Sequence, residues 1–214
     1  MAVTDQQVLS EVQGALLEPR DGGATFPSTL WSASEVLSHL NASLRTLILS
    51  TGAVMTRDTS IVTIAAVTRY TLPSSLLSIY SAAFSGTDGR AYALSRSDSF
   101  QADHISSTWS TTSSSPRPVS YTMGELPSLT IELMPAPNIP GSLDILATSR
   151  PTALTGAGAS LPVPDELAPI LKWATLAELL NKVGRSASPE RAAYARYRAQ
   201  EMTAAATLML EGWA

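Results

Sequence analysis

Two periodicities divide the chain, helical at both ends and strand-like in the middle. Thr4 and Gln7 have the spacing of a capping box, and Val8, Val12 and Leu16 recur at helical intervals until Pro19, which predicts a helix over about 4–18. The second start is sharper. Ser32 can cap, Glu35 sits at the third helical position, and Trp31 can pack on Val36 as a hydrophobic staple. The stripe Val36, Leu40, Leu44 and Leu47 then runs to Gly52, predicting a helix over 32–52.

From about Thr56 to Arg150 the pattern turns to β-branched and aromatic residues. SIVTIAAVTRYTLP, SLLSIYSAAF, RAYALSRS, PVSYTM, SLTIELMP and SLDILATSRP read as about six strands. Turn signals such as Gly86-Thr87-Asp88-Gly89 separate them, and STWSTTSSSPRP is a polar loop of low complexity. Leu129, Ile131 and Leu133 alternate with Thr130 and Glu132, as in a half-buried antiparallel strand. Either a sandwich or a small barrel satisfies this pattern.

Helices return with VPDELAPILKWATLAELLNKVG, over 164–184. Pro164 suits the first helical position, Asp165 and Glu166 favour the dipole, and Gly184 is placed as a C-terminal cap. Pro169 implies a kink or a late start. Ser188-Pro189-Glu190 restarts a helix to about 211, with the stripe Ala195, Ala199, Met202, Ala206 and Met209. The expected fold is α+β. Segments 1–52 and 151–214 form a helical bundle, and 53–150 forms an antiparallel β domain inserted between them.

In the 164–184 helix the polar positions Lys172, Thr175, Glu178 and Lys182 make one narrow stripe, and apolar residues fill the remaining circumference. Such a helix is buried on nearly all sides. Either it is the centre of a monomeric bundle, or a neighbouring subunit covers Trp173, Leu176 and Leu180. At the other end of the hairpin, Met209, Leu210 and Trp213 flank Gly212, and this apolar tail either packs back on its own subunit or contacts another molecule or a neighbouring copy.

Composition narrows the function. Of 214 residues (22.6 kDa), 44% are hydrophobic and only 15% charged, where about a quarter is usual. A foldable chain with so weakly charged a surface is expected to have much of that surface covered. The net charge of −4 and pI of 5.2 give no basic field for nucleic acid. The absence of cysteine excludes a disulfide scaffold, a thiolate zinc site and a cysteine nucleophile. No basic region followed by an apolar run opens the chain, and no apolar run reaches the ~18 residues of a membrane helix, so neither a signal peptide nor a membrane partner is expected.

Catalytic constellations are thin. His39 sits beside an apolar stripe and reads as a packing residue; Asp103-His104 has no second histidine nearby in sequence. Gly156-Ala157-Gly158 resembles a fragment of a phosphate loop, lacks its Gly-Lys-Ser/Thr ending, and reads as a flexible connector. No cofactor or metal is expected. An enzyme using Asp98 and Glu125, and a carbohydrate- or ligand-binding β module, are the readings from other classes.

The order of segments carries more. LWSASEVLSHLNASLR, then TRYTLPSSLLSIYSA, PVSYTM, LTIELMPAPNIPGSLDILATSRP and LPVPDELAPILKWATLAELL resemble the head-to-tail adaptor (connector) proteins of tailed bacteriophages, from about Trp31 to the C-terminus. The resemblance implies a structural virion protein of the neck, assembled in the host cytoplasm as a homo-oligomeric ring, commonly of twelve subunits. Its implied partners are the portal above and tail or nozzle proteins below, with DNA passing through without specific binding. The helical segments would make the ring body. Arg191 and Arg198 are then expected at subunit contacts, paired with acids such as Glu190 and Glu201, and not in the channel. A tail-completion or tail-terminator ring is the nearest alternative.

Overall fold

The computed structural model describes residues 2–87, 89–98, 117–123, 129–184 and 187–211. They divide into two compact units, one of Met1–Val54 with Pro151–Ala214 and the other of Met55–Arg150. The fold is α+β.

The first unit contains α1 (Asp5–Ala15), α2 (Ala33–Thr51), a 3₁₀ turn (Asp165–Leu167), α3 (Ala168–Leu180) and α4 (Pro189–Glu211). Local chemistry sets the starts. The Thr4 side chain accepts from the Gln7 amide at 3.4 Å and Gln7 Oε1 accepts from the Thr4 amide at 2.9 Å, a complete capping box. Ser32 caps α2 through the Glu35 amide at 3.2 Å, and Gly52 ends it with φ 63°, where any other residue is strained. Pro169 lies in the first turn of α3, so the helix starts late instead of kinking. The same helix stops at Leu180, with Asn181 as its cap; Gly184, expected to cap it, lies beyond the end.

α3 packs against α1, α2 and α4. Val12, Val36, Leu40, Leu44, Ile48, Leu171 and Leu179 are each fully buried in this core, and burying such a side chain contributes about 1.5–3 kcal/mol. Two polar residues tie the returning connector to it. Asn41 donates to the Leu154 carbonyl at 3.0 Å and accepts from the Leu154 amide at 2.7 Å, replacing a backbone partner. The buried carboxylate of Asp5 accepts from the Gly156 and Gly158 amides, both at 2.8 Å. The connector is therefore pinned, and amides of the kind that a phosphate loop offers to its ligand bind a side chain of the same molecule instead.

The second unit holds β1 (Met55–Asp58), β2 (Val62–Thr63), β3 (Arg69–Thr71), β4 (Leu76–Gly86), β5 (Ala91–Arg96), β6 (Ser120–Met123), β7 (Thr130–Met134) and β8 (Gly141–Ser149). One hydrogen-bonded path runs β1-β8-β4-β5-β6-β7-β3, with β2 also on β8. The sheet is mixed, not purely antiparallel: β5 and β6 pair in parallel through Ser95–Ser120 and Arg96–Tyr121. Parallel neighbours need a crossover in place of a hairpin, and residues 97–119 separate these two. Curling brings inward residues of both halves into one core, with Phe84, Leu143 and Ile145 joining Tyr121, Ile131 and Leu133. Gly141 marks the closest approach, since a Cβ there would lie 2.4 Å from the Ser85 carbonyl oxygen.

Candidate functional site

The outer face of α4 gathers aromatic and charged side chains at helical spacing. Tyr194, Tyr197, Arg198 and Glu201 stand at i, i+3, i+4 and i+7, so they share one side of the helix. Tyr194 meets Trp173 of α3 edge to face, with centroids 5.7 Å apart and rings at 89°. Lys172 Nζ lies 5.5 Å from the same indole and 3.2 Å from Glu11 of α1. The Tyr197 hydroxyl donates to Glu201, whose carboxylate holds the phenol above its ordinary pKa. Arg198 Nη1 lies 3.4 Å from the other Glu201 oxygen, while its Nε is buried without a hydrogen-bond partner. Tyr194 and Tyr197 remain 57% and 56% exposed. Half-exposed Trp, Tyr and Arg in contact are the residues that anchor protein interfaces.

The inner face of α4 has a different character. The stripe that meets α3 is largely alanine, with Ala192, Ala195, Ala199 and Ala206 buried. Small side chains let the backbones approach and leave space on either side. One hollow, of about 520 Å³, lies between Leu167 and Ile170 below and Met202, Ala206, Met209 and Leu210 above. A second, of about 600 Å³, opens between α2 and α4 over Ala174 and Ala177, with His39, Glu178 and Arg196 at its walls.

The expected interface residues separate on these surfaces. Trp173 and Arg198 belong to the outer patch. Leu176 and Leu180 are 2% and 4% exposed and lie in the chain's own core, so α1, α2 and α4 supply the cover expected of a neighbour. Arg191 donates to the Ala15 carbonyl at 2.7 Å, capping the C-terminal end of α1, instead of pairing with Glu190. Met209 is exposed and Leu210 half-buried, both on the first hollow. Trp213, Gly212, Asp103, His104 and Glu125 lie outside the described residues, as does Asp88 of the expected turn. His39 is half-buried on the second hollow, and no cluster of three or more His, Asp or Glu suited to a metal occurs among the described residues. The two exposed tyrosines escaped the sequence reading, which followed the alanine stripe; their position opposite it was the available signal.

Elsewhere the polar groups serve structure. Lys182 Nζ is 2.8 Å from Glu35, holding that carboxyl below its usual range. Asp21 accepts from the Thr25 hydroxyl and amide, from Gln13 and from the Ala24 amide in the first loop, which lowers it to about 2. Arg57 likewise lowers Asp144 on the sheet.

A family model described as "SU10 adaptor protein" matches residues 6–212, nearly the whole chain, in agreement with the resemblance to phage head-to-tail adaptors. No curated protein matches the chain.

Proposed function

The chain belongs to the SU10 adaptor protein family, and from that membership we propose that it is a structural neck protein, forming a ring that docks under the portal and offers a platform to tail proteins. The helical unit forms the ring body through the outer face of α4. One observation carries the reading: the half-exposed cluster of Trp173, Tyr194, Tyr197 and Arg198, an anchor patch on a chain of otherwise low charge. A cyclic ring needs such a patch to meet a different surface of the next copy. The net charge of −4 on every copy suits a channel that lets DNA pass without gripping phosphates. The role is structural and the tail after Leu208 reaches the portal or the neighbouring copy.

The test uses the full chain and the portal protein of the same virion. Deleting residues 211–214 is expected to leave the far-ultraviolet circular dichroism unchanged and to weaken co-purification with the portal. Unchanged co-purification removes the tail from the contact. Failure of the parent chain to bind the portal at all overturns the adaptor reading.

A further inference from the structure

Between Asp58 and Arg69 the sequence carries no charge, and the loop joining β2 to β3 turns its apolar residues outward. Val62 and Ile64 are 68% and 62% exposed, and Ala65, Ala66 and Val67 are exposed beside them. The loop is nevertheless held from within. The Tyr70 hydroxyl accepts from the Ile64 amide at 3.1 Å and lies 3.0 and 2.8 Å from the Ile64 and Val67 carbonyls. Ala66 donates to the Pro137 carbonyl at 2.7 Å and holds φ at 65°, a left-handed conformation that crowds the Cβ of an L-residue. Loop tips are ordinarily polar and mobile. This one is an apolar knob, already ordered before it meets anything, so little entropy is lost on contact.

The helical unit carries the matching hollow. The space between α3 and α4 is apolar, and Glu166 is the charged residue on its lining. Lys182 after α3 pairs with Glu35 at the start of α2, so α3 runs antiparallel to α2. Its first turn, which lines the hollow, therefore lies at the end of the unit from which the chain leaves at Val54.

We propose that Val62 and the β2–β3 loop (residues 64–67) of one copy seat in the α3/α4 hollow of the adjacent copy, an inference that rests on the ring reading above. Area selects the occupant. Five small side chains offer far less than the ~800 Å² per partner of a stable interface, so the knob cannot capture a free protein. It acts only on a partner already held nearby by another contact, at high effective concentration. The next copy in a ring is such a partner, and it presents an apolar receptacle for an uncharged knob in a heterologous contact.

The chain has no cysteine, so introduced thiols report cleanly. Full-length Ile64→Cys and Met209→Cys copies are mixed, assembled with the portal and oxidised. Disulfide-linked pairs are expected from the mixture and a ladder of covalent multimers from the double variant, with neither single variant alone giving links. A separate Ile64→Ser variant is expected to stay folded, because the side chain is exposed, and to need about tenfold more protein for half-assembly. A ring of normal mass without links between copies, or with links only inside one copy, overturns the inference and leaves the ring reading standing. Absence of any ring in the parent overturns both. If Ile64→Ser leaves the ring intact and abolishes attachment of a tail protein, that protein is the occupant and the proposal fails.

Discussion

Tyr194→Ala separates what the α4 patch does for the chain from what it does for the assembly. In the single chain the substitution removes the edge-to-face contact with Trp173, worth about 0.5–1.5 kcal/mol beyond area. Tyr194 is already 57% exposed, so less than half of its surface burial is lost as well. The stability loss is therefore expected at about 1–2 kcal/mol, read as a lower urea midpoint in dilute protein. A domain stable by about 5 kcal/mol or more stays essentially fully folded after such a loss. The folded fraction thus cannot explain any weakening of assembly. If Tyr194 is an interface anchor, truncation removes a further ~2 kcal/mol at each contact, about thirtyfold in dissociation constant. Mass photometry over a concentration series reads this directly, and Tyr194→Phe, which keeps the ring, should behave like the parent. A variant that loses the expected stability yet assembles within about threefold of the parent refutes the assignment.

Three further outcomes follow from packing and hydrogen bonding. Asn41→Ala leaves the Leu154 amide and carbonyl without their side-chain partner and should cost about 2 kcal/mol in urea denaturation; an unchanged midpoint would mean that solvent replaces both bonds. Gly141→Ala drives a Cβ against the Ser85 carbonyl and is expected to cost about 1–3 kcal/mol, seen as a lower melting temperature. Asp21, lowered from 3.8 to about 2 by its bonds to Thr25, Gln13 and Ala24, orders the first loop above its unfolded value and releases it as pH falls towards about 2. The protection factors of the Ala24 and Thr25 amides, taken against intrinsic exchange at each pH, should therefore fall between about pH 4 and pH 2, and protection factors unchanged at about pH 2 contradict this.

Helix starts were legible because they rest on local chemistry. Thr4 with Gln7, Ser32 with the Glu35 amide, and Gly52 act within a few residues of one another. The end of α3 was not, because Gly184 offers a cap that the chain does not use; Asn181 ends the helix three residues earlier. The parallel β5–β6 pair was hidden for a related reason. Alternation along a strand reports which face is buried and says nothing about the direction of its neighbour. The apolar circumference of α3 was read correctly as buried, but periodicity cannot say by whom, and Leu176 and Leu180 prove to be covered by their own chain. The SIVTIAAV run shows the converse error. Its residues read as strand throughout, which holds for Val62–Thr63 on β8, with Ile61 and Thr63 buried, whereas residues 64–67 form a loop, held by the Tyr70 hydroxyl, that faces outward.

Native mass spectrometry of the full chain mixed with its portal protein tests the adaptor account most directly. The account expects one complex whose added mass is an integral multiple, about twelvefold by the resemblance, of 22.6 kDa, closed at a single stoichiometry. A chain that stays monomeric in the presence of the portal, or binds it at scattered stoichiometries, contradicts the ring.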